Sequence, residues 1–261
     1  FRSLMNRLVF FYLRIPLLIV SIFVLLGIHS CKPANERSCF KGAGNRDSLN
    51  IELPHFEKLI LGEHMKFVLI QDTIEKVSVY GGENLLNQIS IDSDESLQLS
   101  ISNDNRCRFF RYRNNDILVY IHFIELKEIV FNGSEELSNQ GVLQFDDLKL
   151  TTLGAGGSVN LQLSANEIYS LNEAGWPDVT LQGDCDSFRS EVFGNLILNG
   201  MQLNVNESID IISQAGTLSK INAQGAVLKV ELSGTGDLWY YGIPSEIIKK
   251  EYNSGKLIDK N

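Results

Sequence analysis

The side chains able to do chemistry are few and scattered. Cysteines stand at 31, 39, 107 and 185, histidines at 29, 55, 64 and 122, and carboxylates gather at Asp92, Asp94 and Glu95, at Asp146 and Asp147, and at Asp184 and Asp186. His55, His64 and His122 share no His-Glu-x-x-His or other close ligand spacing, so neither a metal site nor a cofactor is expected. Glycoside hydrolysis or lyase chemistry needs paired acids on one face. Asp178 and Asp237 follow glycines at 175 and 236 by three and one residues, so their spacing does not stack them. Gly154-Ala155-Gly156-Gly157-Ser158 is followed by no Gly-Lys-Ser/Thr and forms no Gly-x-Ser-x-Gly turn, so it is neither a phosphate loop nor a nucleophile elbow. No catalytic residues are assigned, and the carboxylates are expected in solvated turns. The aromatics remain. Trp176 sits in a turn beside Pro177, and Trp239, Tyr240 and Tyr241 form a short run. An aromatic face stacks on a sugar ring or a partner surface, so these four are the candidate binding face; the competing expectation is that they cap the last coil.

The elements that must position these aromatics announce themselves by repetition. Glycines fall at 156, 175, 194, 216 and 236, separated by 19, 19, 22 and 20 residues. A short alternating apolar run follows each, such as Val159, Leu161 and Leu163, and a second run follows within most periods, such as Ile168 with Leu171. Side chains alternate faces along a strand, so each period predicts two short strands joined by Gly/Asn/Asp turns. A period near 20 residues is solenoidal, since one unit cannot bury its apolar face until neighbours stack on it. Positions 49–147 keep the alternation without the glycine clock: Leu97, Leu99 and Ile101 predict a half-exposed strand, and Ile117, Val119, Ile121 and Phe123 a buried one. They predict irregular early coils or a capping sheet over one end of the solenoid. Residues 148–261 carry the punctuated coils, and 49–261 is expected to be one domain.

The N-terminus predicts export. Translation is expected to start at Met5, Arg7 and Arg14 supply a basic segment, and Leu17 to Ile28 is an apolar stretch too short to span a bilayer but fitting a signal peptide ending at residue 30. Ile28-His29-Ser30-Cys31 looks like a bacterial lipobox with an unusual −2 residue. Cys31 is therefore the expected lipidation site, and it would tether the mature chain to a membrane. Residues 31–48 read as a polar tether. In an oxidising compartment Cys39 and Cys107 are a candidate disulfide, and Cys185, in a turn between two aspartates, a bystander thiol. The net charge is −9 for the whole chain, and −12 without the three arginines ahead of Cys31. That excludes the basic footprint of a nucleic-acid binder.

Gly234-Thr235-Gly236-Asp237, the following Leu238-Trp239-Tyr240-Tyr241-Gly242 and Pro244, and the closing Ser254-Gly255-Lys256-Leu257-Ile258 resemble the head GIN domain family of auto-transporter adhesins. Cys39-Phe40-Lys41-Gly42-Ala43-Gly44, with a second cysteine near 107, is similar to its lipoprotein members from Gram-negative bacteria. The resemblance runs from Cys39 to the C-terminus. It implies an all-β, single-stranded right-handed parallel β-helix and a cell-envelope location at the outer membrane, and offers no established activity. Ala155-Gly156-Gly157, Ala174-Gly175-Trp176 and Ala215-Gly216-Thr217 depart from the family's Gly-Ser-Gly. The leading expectation is a lipid-anchored adhesin that binds envelope or extracellular glycan or protein without catalysis. The alternatives are a polysaccharide-acting lyase or hydrolase on the same scaffold, and a purely structural envelope component.

Overall fold

The computed structural model describes residues 42–105 and 116–261. The leader, most of the tether, and Cys31, Cys39 and Cys107 lie outside the described residues.

Strands β1 (Arg46–Glu52), β2 (Lys58–Leu61), β3 (Lys66–Gln71) and β4 (Lys76–Gly82) precede the single turn α1 (Glu83–Leu86), then β5 (Ile89–Ser93), β6 (Gln98–Asn103), β7 (Leu118–Phe123), β8 (Glu128–Phe131) and β9 (Glu136–Gln140). The repeat half adds β10 (Leu143–Gln144), β11 (Asp147–Ala155), β12 (Ser158–Gly175), β13 (Asp178–Val192), β14 (Ile197–Ser213), β15 (Ser219–Asn222), β16 (Val227–Leu232), β17 (Leu238–Tyr241), β18 (Glu246–Glu251) and β19 (Leu257–Asp259). The first strand starts at Arg46, three residues ahead of the expected boundary at 49.

Two parallel ladders make this a β-solenoid. One runs β6, β2, β8 and β11, then the second halves of β12, β13 and β14, then β16 and β18. The other runs β7, β3 and β9, the first halves of β12, β13 and β14, then β15, β17 and β19. Alternate residues point inward and stack rung on rung. Val159 lies on Val179 and Leu198, and Ile168 on Phe188 and Ile209, all buried. Each such side chain removes roughly 1.5–3 kcal/mol worth of apolar surface from water, but only once its neighbour is in place.

The middle rungs differ from the expected pair of short strands. β12, β13 and β14 each run unbroken through a bend, so that only the glycine corner interrupts a period. The ladder continues across the bend, pairing Ala165 with Cys185 and then Glu167 with Ser187. Outside it, Asn206 Nδ2 donates to Asp186 Oδ1 at 2.9 Å and Asn204 Nδ2 to Asp184 Oδ1 at 3.0 Å. These bonds hold the polar bend side chains rung to rung, so no turn residue is needed. The long 22-residue interval is absorbed in β14, where the offset to β13 steps from 19 residues at Asp178↔Ile197 to 21 at Ser187↔Ser208 through two bulges. Cys185 is consequently not in a turn. It faces the core between Ala165 and Val205, and burial first, then Asp186 and Asp184, pushes its thiol up to about 12. Such a thiol is inert at neutral pH.

The N-terminal half is both irregular coil and capping sheet. The β2–β3 rung lies between β6–β7 and β8–β9, although it precedes both in the chain. Beyond it, β5 pairs antiparallel with β6, β4 with β7, and β1 with β4. Strands of opposite direction therefore close this end, and a parallel rung cannot simply be added to it.

The other end is closed by charge. The ladder puts Lys249 above Val230 and Glu251 above Leu232, so inward positions of the last rung carry ions. Glu251 accepts bonds from Leu257 N at 3.0 Å and from Lys256 Nζ at 3.1 Å, with Lys249 Nζ at 3.4 Å. An inward charge at a sheet edge opposes further strand addition. The Leu257 amide and Lys256 hold the Glu251 carboxyl down at about 2, against 4.5 ordinarily. Because the folded value is depressed, its contribution is complete above pH 4.5 and is lost as pH falls through 2. The last rung should thus loosen in that window. Trp239, stacked over Ile258, would report it as a red shift of its emission in a Trp176→Phe background. Glu251→Gln should show the looser rung already at pH 7, with the acid step reduced; an unchanged acid profile would contradict this assignment.

Candidate functional site

The glycine clock marks one corner of the solenoid, where every turn passes from the first ladder to the second. Backbone bonds stitch it: Trp176 N to Ala155 O at 2.9 Å, Asn195 N to Gly175 O at 3.0 Å, and Gly236 N to Ala215 O at 2.9 Å. Positive φ explains only part of the clock. Gly175 has φ +97, whereas Gly157 is required by approach, since a Cβ there would lie 1.8 Å from Glu135 O.

Trp176 stands out of this corner. The chain leaves Gly175 in its left-handed conformation, Pro177 fixes the next φ, and the side chain between them is 71% exposed. The preceding rung offers only Gly156 and Gly157 beside it. Leu153, Phe193 and Ile197 are exposed on the same and adjoining turns, so the indole belongs to an apolar patch. The patch can bind by stacking and by burial. Nothing in it supplies a nucleophile.

The other expected aromatics are placed differently. Trp239 lies on β17 with Lys220 Nζ 5.5 Å and Lys260 Nζ 4.2 Å from its ring centre, so the chain's own ammonium groups cover its faces. Its Nε1 is buried without a partner. Tyr240 points into the core at 8% exposure, and burial and then Asp259 raise its hydroxyl's pKa. Tyr241 faces outward above Asn222. Trp176 and Trp239 are not brought together, being about three rungs, roughly 14 Å, apart along the axis. The last-coil run is thus largely occupied in capping, and Trp176 is the free aromatic.

Rung stacking also assembles groups that are distant in sequence. His64, at φ +66, meets Ser134 across two turns, its Nδ1 2.9 Å from Oγ, with Glu63 3.4 Å from Nε2. Ser134 donates its hydroxyl proton to Glu135, however, so the imidazole is not poised to take it. His122 Nδ1 lies 2.8 Å from Asp72 and His55 Nδ1 2.8 Å from Glu75, which raises the His55 pKa. No sequence spacing marks these pairs; only the ladder register does. Asp178 and Asp237 share a column but stand about three rungs apart, roughly 14 Å, beyond the separation of a glycosidase pair. Asp146, Asp147 and Glu167 line a cleft of about 440 Å³ with Lys127, Lys149 and Tyr169 at the bend leading into the first ladder. Among the described residues no cluster of His, Cys, Asp or Glu could hold a metal, and no helix is long and apolar enough to cross a membrane.

Solved structures share this architecture. A putative adhesin from Bacteroides fragilis aligns with a TM-score of 0.76 at 19% identity, over 84% of this chain and 100% of that one. A putative adhesin from Parabacteroides merdae aligns at 0.59 and 16%, over 84% and 98%. A putative lipid binding protein from Parabacteroides distasonis aligns at 0.50 and 16%, over 82% and 97%. These likenesses are of fold. Among curated proteins, no sequence matches. Residues 55–244, most of the solenoid, match the sequence profile of the family described as putative auto-transporter adhesin, head GIN domain, and the chain belongs to that family.

Proposed function

We propose that this protein is a lipid-anchored, non-catalytic adhesin of the cell envelope, tethered through Cys31 at the outer membrane, that grips a glycan or protein partner at the Trp176 corner. The observation that carries this is an indole 71% exposed on a glycine-lined turn, with three exposed apolar residues on the same and adjoining turns. Exposed aromatics of this kind cost solubility unless they meet a partner. The adhesin family and a solenoid that presents its corners in a row support the same reading. A Cys39–Cys107 disulfide would fasten the tether that follows Cys31 to the first coils.

The test applies the full chain to a panel of bacterial and host polysaccharides and envelope proteins, scoring retention together with new reducing or unsaturated ends. Retention without product, reduced about tenfold or more by Trp176→Ala and little by Trp239→Ala, is the expected result, since a stacked aromatic contributes ~1–3 kcal/mol. Product formation would instead assign the acidic cleft at Asp146 and Glu167 to polysaccharide chemistry. Undiminished retention in Trp176→Ala would remove the corner from the site.

A further inference from the structure

The outer face of the N-terminal cap holds a second surface, unrelated to the glycine corner. Here β1, β4, β7, β3 and β9 lie side by side, and their outward residues form rows: Asn50, Ser78, Tyr120, Val68 and Ser138 in one, Glu52, Lys76, His122, Ile70 and Gln140 in the next. The rows enclose a shallow cavity of about 600 Å³. Tyr80, 45% exposed, stands edge-to-face against Tyr120 with ring centres 5.7 Å apart, which makes a right-angled aromatic shelf. Arg46 and Lys76 line the same cavity; among the described residues neither has a carboxylate within ion-pair distance, although Lys76 is close enough to Asp72 to help lower its pKa. Glu52 is the ladder neighbour of Lys76 yet forms no ion pair with it. Asp72, the remaining nearby carboxylate, is taken up by the Thr73 amide and by His122, which leaves His122 Nε2 unbonded. Asn50 spends its oxygen on the Ser78 hydroxyl at 2.6 Å and keeps its amide hydrogens, and the Gln140 side chain is unbonded.

Arg46 and Lys76 thus place two cations in one cavity of a chain of net charge −9. Cations flanking an aromatic shelf, with amide donors beside them, match one ligand chemistry: a pyranose ring stacks on a tyrosine, its carboxylate meets the guanidinium or ammonium, and its hydroxyls meet the amides. We propose that this cavity is a binding site for an acidic saccharide of the uronic-acid class. A phosphate alone would have no use for the shelf, and a run of acidic side chains carries no ring to lay on it. The net negative charge of the remaining surface repels polyanions in general, so the cavity would select short anionic segments within a glycan rather than bind charge indiscriminately.

The full chain is titrated calorimetrically with a short oligogalacturonide, with the same oligomer fully methyl-esterified, and with polyglutamate of matched length. Binding of the acid form is expected, weaker by about tenfold or more for the ester because a charge-assisted pair is lost. The Arg46→Ser/Lys76→Ser double variant and Tyr80→Ala should each lose a similar factor, while Tyr80→Phe, which keeps the ring, should bind as the unaltered protein does. Thermal melting of each variant shows that these exposed changes leave the fold in place. Equal binding of acid and ester, equally tight polyglutamate, no binding of any probe, or a loss confined to Trp176→Ala would each overturn the assignment. The Trp176→Ala outcome alone bears on the corner.

Discussion

Gly157→Ala should unfold the solenoid's middle or lower its stability by at least about 4 kcal/mol, which places it among the severe single substitutions. The added Cβ would lie 1.8 Å from Glu135 O and 2.8 Å from Glu135 C and N, so the obstacle is backbone that cannot swing aside. Glu135 is held there by the bond from Ser158 N to its carbonyl at 3.1 Å, and Gly157 N itself bonds to Gly133 O at 3.1 Å. Relief requires the two rungs to part, breaking these bonds and unstacking Leu137 from Val159 behind them. The control is the adjacent glycine: a Cβ on Gly156 meets nothing within 4 Å, so Gly156→Ala should change stability by no more than about 0.5 kcal/mol. Urea denaturation of the pair reads both, and similar midpoints would refute the close-approach account of the clock.

The second large effect is expected at a polar residue. Asn172 is fully buried where β12 reaches the glycine corner. Its Nδ2 donates to Thr152 Oγ1 at 2.9 Å and to Ala174 O at 3.1 Å, and its Oδ1 accepts Gly194 N at 3.0 Å. One side chain thereby fastens three successive turns. Asn172→Leu keeps the branched shape but strands the Gly194 amide and the Thr152 hydroxyl in the core, at a cost of about 3 kcal/mol. Adding Thr152→Val removes one stranded group and should restore about 1 kcal/mol of that loss, a coupling a double-mutant cycle measures directly. Strict additivity of the two substitutions would contradict the bond.

What the sequence disclosed follows from where its constraints are local. Close rung approach demands glycine at several turns, so residues such as Gly175 and Gly236 write the period into the chain, and the alternation of Val159, Leu161 and Leu163 writes the inward face. The β-solenoid and its capped N-terminal end were legible on those grounds. The continuous bend of β12 through β14 was not, because it is held by Asp184 to Asn204 and Asp186 to Asn206, pairs 20 residues apart. The same holds for Cys185, whose flanking aspartates look like a turn and are outward residues of a strand. At the candidate site, the turn at Trp176 was readable from Gly175 and Pro177 on either side, while its exposure was left open between binding and capping. The occupation of Trp239 was not, since Lys220 and Lys260 reach it only through the register of three separate rungs.

The displaced β2–β3 rung has a consequence for how the chain acquires its shape. From β11 onward, each new turn docks on one made about 20 residues earlier, so closure is short-range and can proceed by zippering. The β2–β3 rung has no such predecessor. Its neighbours are β6–β7 on one side and β8–β9 on the other, and Lys58 must await Gln98 and then Glu128 before both of its edges are paired. Chain-closure entropy for those contacts is the largest in the molecule, which sets the N-terminal third as the slow step and the repeat half as the nucleus. Made from its N-terminus, the protein holds one edge of its second and third strands open until the eighth and ninth have arrived.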